Sequence, residues 1–323
     1  MAYLKCEQKL TTITLPTPFL VGPVNVYLIE GNEALTLVDT GPKTEEGWNV
    51  LTHELKSRGY VPSDIEQIII THHHPDHVGL LDRFVNAKRT GHVKTVPWIE
   101  QDAVFLRKSI DFLSNFYKKH GMDEQVILEV HQLSSNYRQF TSKASVDYIV
   151  GHGNEVPGLT GWKVLETPGH AQTQIMIMHE EEQKAISGDH LIKHISSNAI
   201  IEAPYNEGEE RSRSLLQYRE SLKMLKNYQL KVSYSGHGIP VVDIPSLVDE
   251  RIKEQDLRAA HIKELLGSET LTAVQITQRL FSKMYEKQPE LTFSETLGHL
   301  DLLESTGQVK CINAGETIFY KAN

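Results

Sequence analysis

The chain has 323 residues, 39% hydrophobic and 23% charged, with a formal net charge of −9 at pH 7. At roughly 100 to 200 residues per domain that length predicts two units, and no stretch reaches the ~18 consecutive apolar residues of a membrane span. The acidic balance opposes the Lys/Arg-driven attraction to phosphate behind non-specific nucleic-acid binding, so neither a membrane nor a nucleic acid is expected as a partner. Met1 to Leu15 carry Lys5 and Lys9 but no apolar run with a small-residue cleavage site, which predicts a cytoplasmic protein. Cys6 and Cys311, near opposite ends, are expected to be reduced packing residues. Sixteen histidines are the compositional anomaly.

In chain order, Val24, Val26 and Leu28 alternate with polar positions and lead into Leu35 to Val38, which predicts two strands around a turn at Gly31-Asn32. Thr44 to Arg58 places Trp48, Leu51 and Leu55 at helical spacing, and the β-branched run Ile68 to Ile70 follows as a strand. A polar loop, Thr71 to His77, leaves that strand, with a short helix expected over Val78 to Val85. Between Val96 and Val150 the pattern turns helical. Ile99, Ala103, Leu106, Ile110, Leu113 and Tyr117 step by three and four, Gly121 interrupts, and Val126 to Phe140 resume the stepping, which predicts a helical hairpin over about 96–150. Short strands return at Trp162 to Leu165, Ile175 to Met178 and Lys184 to Ser187, then a helix over Ser212 to Tyr228 and a strand at Lys231 to Ser235. After Pro240 and Pro245, Arg251 to Leu266, Leu271 to Phe281 and Phe293 to Glu304 each carry a helical stripe, and Val309 to Tyr320 reads as a hairpin turned at Gly315. Three helices and a hairpin suggest a winged-helix-like unit, so the expected division is 1–248 and 249–323.

The chemical signal is the segment Thr71-His72-His73-His74-Pro75-Asp76-His77, an H-x-H-x-D-H pattern formed by His72, His74, Asp76 and His77. Imidazoles and a carboxylate so close together, on a loop leaving a buried strand, can converge on zinc-type metal ions. Three later loops, each with a glycine after a strand-like segment, offer further ligands: Gly169-His170, Gly188-Asp189-His190 and Gly236-His237-Gly238. No Ser or Cys lies in a nucleophile-elbow motif such as G-x-S-x-G.

On these motifs residues 8–240 resemble the metallo-β-lactamase superfamily, and the tail and the segments around Asp189 and His237 are similar to its glyoxalase II and lactamase-beta-like branches. The resemblance implies an α+β fold, an αββα sandwich with the metals at one edge of its two sheets. It assigns His72, His74 and His170 to one metal, Asp76, His77 and His237 to a second, and Asp189 to a bridge between them. Asp39, in Val38-Asp39-Thr40-Gly41, matches the family's early V-D-T-G segment and would orient ligands from behind. His74 departs from the glutamate of flavodiiron oxygen reductases, Ile192 from the tyrosine of quorum-quenching lactonases, and the bridging aspartate argues against antibiotic hydrolysis.

Two bound zinc ions, with iron or manganese as alternatives, would bring the pKa of water toward neutrality and polarise a substrate oxygen. Asp76 and Asp189 are the expected catalytic carboxylates, as ligands and in proton exchange. The leading expectation is hydrolysis of an ester-like acyl bond, thioester ahead of lactone, in a small molecule. The alternatives are a phosphodiesterase or nuclease and a mononuclear-iron persulfide dioxygenase. Against the nuclease, Thr292 to Glu304 hold no Lys or Arg where a recognition helix would need them. Phe112, Phe116, Tyr117, His120 and His194 are candidates to line the substrate pocket, and the tail to complete it or to make a homodimer contact.

Overall fold

The computed structural model describes residues 8–323, so Cys6 lies outside the described residues. The first half runs β1 (Lys9–Leu15), β2 (Val24–Glu30), β3 (Leu35–Val38), α1 (Glu45–Ser57), β4 (Gln67–Ile69), α2 (Pro75–Val78), β5 (Lys88–Gly91), α3 (Val96–Ile99), α4 (Ala103–Lys119), α5 (Glu124–Arg138) and β6 (Tyr148–Ile149). The second half continues β7 (Trp162–Glu166), β8 (Ile175–His179), β9 (Lys184–Gly188), α6 (Ser214–Leu225) and β10 (Val232–Ser235). The tail is α7 (Ile244–Leu266), β11 (Thr270–Thr272), α8 (Ala273–Leu280), α9 (Ser282–Tyr285), α10 (Pro289–Ser305), β12 (Val309–Ala314) and β13 (Thr317–Ala322). The sequence reading missed β1, β5 and β6. The first is rich in threonine and the second reads Lys-Arg-Thr-Gly, so neither carries the apolar alternation that reveals a strand.

Strands β1 to β6 form one sheet in chain order, antiparallel through β3 and parallel from there on, while β10-β9-β8-β7 form a second. Strand alternation sorts the side chains into layers. Val26, Leu28, Leu37 and Ile68 face outward onto Leu51 and Leu55 of α1, whereas their neighbours Tyr27, Ile29, Val38 and Ile69 face the second sheet. From that sheet Val164, Ile175, Ile177 and Ile186 point back into the same inter-sheet core. Met176 and Met178 point the other way, onto Leu215 and Leu222 of α6 and onto the start of α7. The result is the expected αββα order, with the Thr44 side chain accepting from Gly47 N to cap α1, an interaction worth ~1 kcal/mol.

The helical insertion and the tail share a core. Tyr117, Met122, Ile127 and Val130 of the insertion pack with Ile262, Leu271, Phe293 and Leu297 of the tail. Helix α7 runs unbroken through residues 248 and 249: Leu247 and Val248 pack on the second sheet's outer helices, and Ile262 and Leu266 in the core shared with the insertion.

Candidate metal centre

The H-x-H-x-D-H segment leaves β4 through Ile70, Thr71 and His72, all without exposed surface. The short helix starts earlier than the sequence reading placed it. Pro75 occupies its first position, where a missing N–H costs nothing, so Asp76 and His77 sit on helical backbone rather than in a loop. Behind them Asp39 adopts φ 60°, a conformation uncommon for non-glycine residues. Its carboxylate explains why: Oδ1 accepts from Thr71 N (2.9 Å), and Oδ2 from Thr71 Oγ1 (2.7 Å) and from His77 Nδ1 (2.8 Å).

These bonds fix which ring nitrogen of each histidine is free. Thr71 Oγ1 spends its one proton on Asp39, so it accepts from His72 Nδ1 at 3.0 Å. His170 Nδ1 donates to Asn198 O (2.9 Å) and His237 Nδ1 to Pro23 O (2.8 Å). In His72, His77, His170 and His237 alike, Nε2 is the ring nitrogen left facing inward. His74 instead turns Nδ1 inward, 2.9 Å from His170 Nε2.

The inward atoms form three sets: His72, His74 and His170; His72, His77 and Asp189; and Asp76, His77 and His237, each within 4.8 Å of one another. Asp189 lies between, 3.3 Å from His77 Nε2, 3.4 Å from His237 Nε2 and 3.7 Å from His170 Nε2. His72 Nε2, His77 Nε2, His237 Nε2 and Asp189 Oδ1 are buried with no hydrogen-bond partner. Leaving such groups unsatisfied costs ~1–3 kcal/mol each, and a pair of divalent cations would satisfy all four at once, so the donor set fits the metals it was expected to hold.

The electrostatics agree. Burial keeps His72, His74 and His170 neutral, their pKa values pushed below the usual histidine range. Burial also opposes a charge on His77 and His237, but Asp189, with Asp76, outweighs it; His77 is raised well above the usual value and His237 to about 10. Asp189 is held well below the usual carboxylate range despite its burial, because His237 and His77 stand beside it. Protons on two imidazoles thus supply the positive charge that the carboxylates demand. Gly236 makes the convergence sterically feasible: a Cβ there would lie 2.1 Å from Asp189 Oδ1 and 2.8 Å from His77 Cε1.

A family model described as "Metallo-beta-lactamase superfamily" matches residues 20–237. The chain belongs to the metallo-β-lactamase superfamily. It is 37% identical over 313 residues to the "Probable metallo-hydrolase YqjP" of Bacillus subtilis (strain 168), covering 96% of each chain. It is 21% identical over 264 residues to an "Atrochrysone carboxyl ACP thioesterase" of Aspergillus fumigatus, covering 82% of this chain and 48% of that one. A metallo-beta-lactamase family protein from Thermus thermophilus, TTHA1429, superposes with a TM-score of 0.81 at 26% identity, over 97% of this chain and 98% of that one. This member of the superfamily is accordingly a metallo-hydrolase.

As in the fold's expected plan, the centre lies at one edge of the two sheets, where a backbone bridge joins Val24 of the first sheet to His237 beyond the second. A cavity of about 580 Å³ opens from it, bordered by His74, Asp76, His170 and Asp189 and by Pro289 to Leu291. Of the five pocket candidates only Tyr117 borders this cavity. Phe112 stacks on Phe116, which lies under Arg211 and against Phe293, and His120 stacks on Tyr320. The correction follows from helical geometry. Positions 106, 110, 113 and 117 share the face of α4 turned to the cavity, whereas 112, 116 and 120 form the adjacent row, turned to the tail. His194 is exposed, beside Gly238, and borders an adjoining groove with Arg251 and Arg258 that shares Ile195, Ser196 and Asn198 with the cavity.

Sequence reasoning overlooked three contributors to the site. Pro23 and Asn198 orient His237 and His170 through backbone carbonyls, which leave no residue-type signal. Trp98 stacks on His73 (centroids 4.1 Å apart, 16° between planes), and its Nε1 donates to Tyr205 (2.7 Å), which donates to the buried Glu202 (2.7 Å). Cys311 is free and half-buried.

Proposed function

We propose that this metallo-hydrolase cleaves an ester-like acyl bond in a small molecule, a thioester in preference to a lactone, at a dinuclear zinc-type centre. The observation that carries the reading is the convergence of seven side chains able to hold metal ions, four of which border a mainly apolar cavity. In this reading His72, His74 and His170 would hold one ion, Asp76, His77 and His237 the other, with Asp189 available to both. When bound, the metals supply water activation near neutral pH and polarisation of the scissile carbonyl. Asp39 and Thr71 lock the rings of His77 and His72 in the tautomer that leaves Nε2 free. Asp76 and Asp189 position the attacking water and take up its proton at a carboxylate oxygen. The thioesterase activity in the name of the Aspergillus relative supports an acyl substrate.

We assign residues 249–323 to a winged-helix-like unit that walls the cavity instead of reading nucleic acid. Helix α10, in the position of a recognition helix, buries Thr292, Phe293, Thr296, Leu297 and Leu300, and its acidic groups Glu295, Asp301 and Glu304 pair with Arg258, Arg211 and Arg213. No helix among the described residues is long and apolar enough to cross a membrane; a cytoplasmic location and a homodimer contact through the tail belong to the same reading. Assaying thioesters, lactones, phosphodiesters and RNA with the zinc-loaded protein and a His72→Ala control tests it. Thioester turnover lost in the control is expected, and control-sensitive turnover of RNA or phosphodiesters alone would overturn it.

A further inference from the structure

The cavity's inner walls come from elements far apart in the chain: Phe19 from the β1–β2 loop, Ile110 and Leu113 from α4, Val130 from α5, Ile201 from the segment after β9, and Leu291 from α10. An apolar space of about 580 Å³ falls within the ~300–1,000 Å³ range of small-molecule sites, lined mainly by carbon with few polar groups. A short acyl group held at the metal edge would leave most of it empty. Its mouth adds a second observation. Leu20, Leu133, Tyr137 and Ile195, all bordering the cavity, are among the large apolar side chains left exposed, Leu20 to 83%. Apolar side chains that the fold leaves uncovered thus continue the cavity's apolar lining out to solvent. Phe19 fastens this rim, meeting the rings of Tyr137 and Phe140 edge to face.

We infer that the cavity between the helical hairpin and α10 binds a long apolar acyl chain, its carbonyl end at the metal edge and its tail among Ile110, Leu113, Val130 and Leu133 of the hairpin. This rests on the acyl-hydrolase reading for the orientation of the chain, and names the substrate class that reading leaves open. Of the acidic groups in the lining, Glu290 accepts from Ser134 Oγ at Oε2 (3.5 Å), and burial pushes its carboxyl upward, toward its neutral form.

The test is a ladder of straight-chain alkanoates from four to sixteen carbons, titrated into the zinc-loaded protein with the fluorescence of Trp98, which borders the cavity, as reporter. Each added methylene is expected to tighten binding about fourfold, equivalent to ~0.8 kcal/mol, until the cavity is filled. In Ile110→Trp, which places an indole in the lumen, the gain is expected to stop at a shorter chain, with zinc content measured alongside. Affinity independent of chain length in the wild-type protein overturns the inference whatever the variant does, and so does an unchanged ladder in a zinc-loaded Ile110→Trp. A rising ladder without hydrolysis of any acyl ester supports the chain site and refutes the acyl-hydrolase reading; thioester hydrolysis with a flat ladder does the reverse.

Discussion

The metal edge and the cavity that opens from it are built on opposite physical terms. At the edge, seven charged or polar side chains converge, four of the imidazoles are oriented by named hydrogen bonds, and Asp39 alone fixes two of the elements involved. In the cavity, packing between remote helices shapes an apolar space without any single residue determining it. Chemistry thus depends on a few exact donors, whereas selectivity depends on a surface assembled from both ends of the chain. Changes at the edge should abolish function with the fold intact, and changes in the shared core should weaken the fold with the donors intact.

The sharpest break in that comparison is Asp189→Ala. It removes the carboxylate shared by the three imidazoles, and turnover is expected to fall by at least ~10³-fold, the scale of losing one preorganised electrostatic group at a reacting centre, together with a loss of bound metal by elemental analysis. A fully loaded, fully active variant would refute the assignment. Next in size is Phe293→Ala in the core that joins the insertion to the tail. Truncating this wholly buried ring should cost about 3–5 kcal/mol in denaturant unfolding, while metal stoichiometry in the folded protein stays at the wild-type value; metal loss without destabilisation would reverse the roles given to the two regions.

Asp39→Asn probes the link between backbone strain and ligand orientation. Asp39 Oδ2 accepts two protons and Oδ1 one, so an amide nitrogen in either place must oppose an existing donor. Metal affinity in chelator competition should drop about 10–100-fold with near-native circular dichroism, and unchanged affinity would show that Asp39 orients nothing. The smallest effect concerns protons. His77 and His237 carry raised pKa values in the metal-free protein, so at pH 7 both are protonated and must release those protons to bind a cation. Apparent metal affinity should therefore climb as pH rises from 7 toward about 10, the value for His237, and calorimetry in buffers of different ionisation enthalpy should show net proton release. Proton uptake or a pH-independent affinity would contradict the sign.

The same contrast explains what was legible in the sequence. His72, His74, Asp76 and His77 lie within six consecutive residues, and a strand end forces such neighbours together, so the motif announced itself. His170, Asp189 and His237 were found because each follows a strand in a glycine-bearing loop, and Gly236 shows what that glycine is for. Individual strands were readable from runs such as Ile68 to Ile70, whereas the αββα layering came from the family resemblance, and threonine-rich β1 and the polar β5 were not readable at all. The pocket residues were misjudged for a geometric reason. Phe116 and Ile110 both lie on α4, and only the positions of the tail and the sandwich decide which row faces the cavity. The carbonyls of Pro23 and Asn198 are backbone atoms, present at every position, and no sequence pattern distinguishes them.

The most direct measurement is anomalous X-ray scattering at the zinc edge from crystals of the zinc-loaded protein. Two peaks are expected, one among His72, His74 and His170 and one among Asp76, His77 and His237, with Asp189 in contact with both. A single peak, or zinc bound anywhere that leaves His170, Asp189 and His237 uncoordinated, would contradict a dinuclear centre assembled from four separate segments.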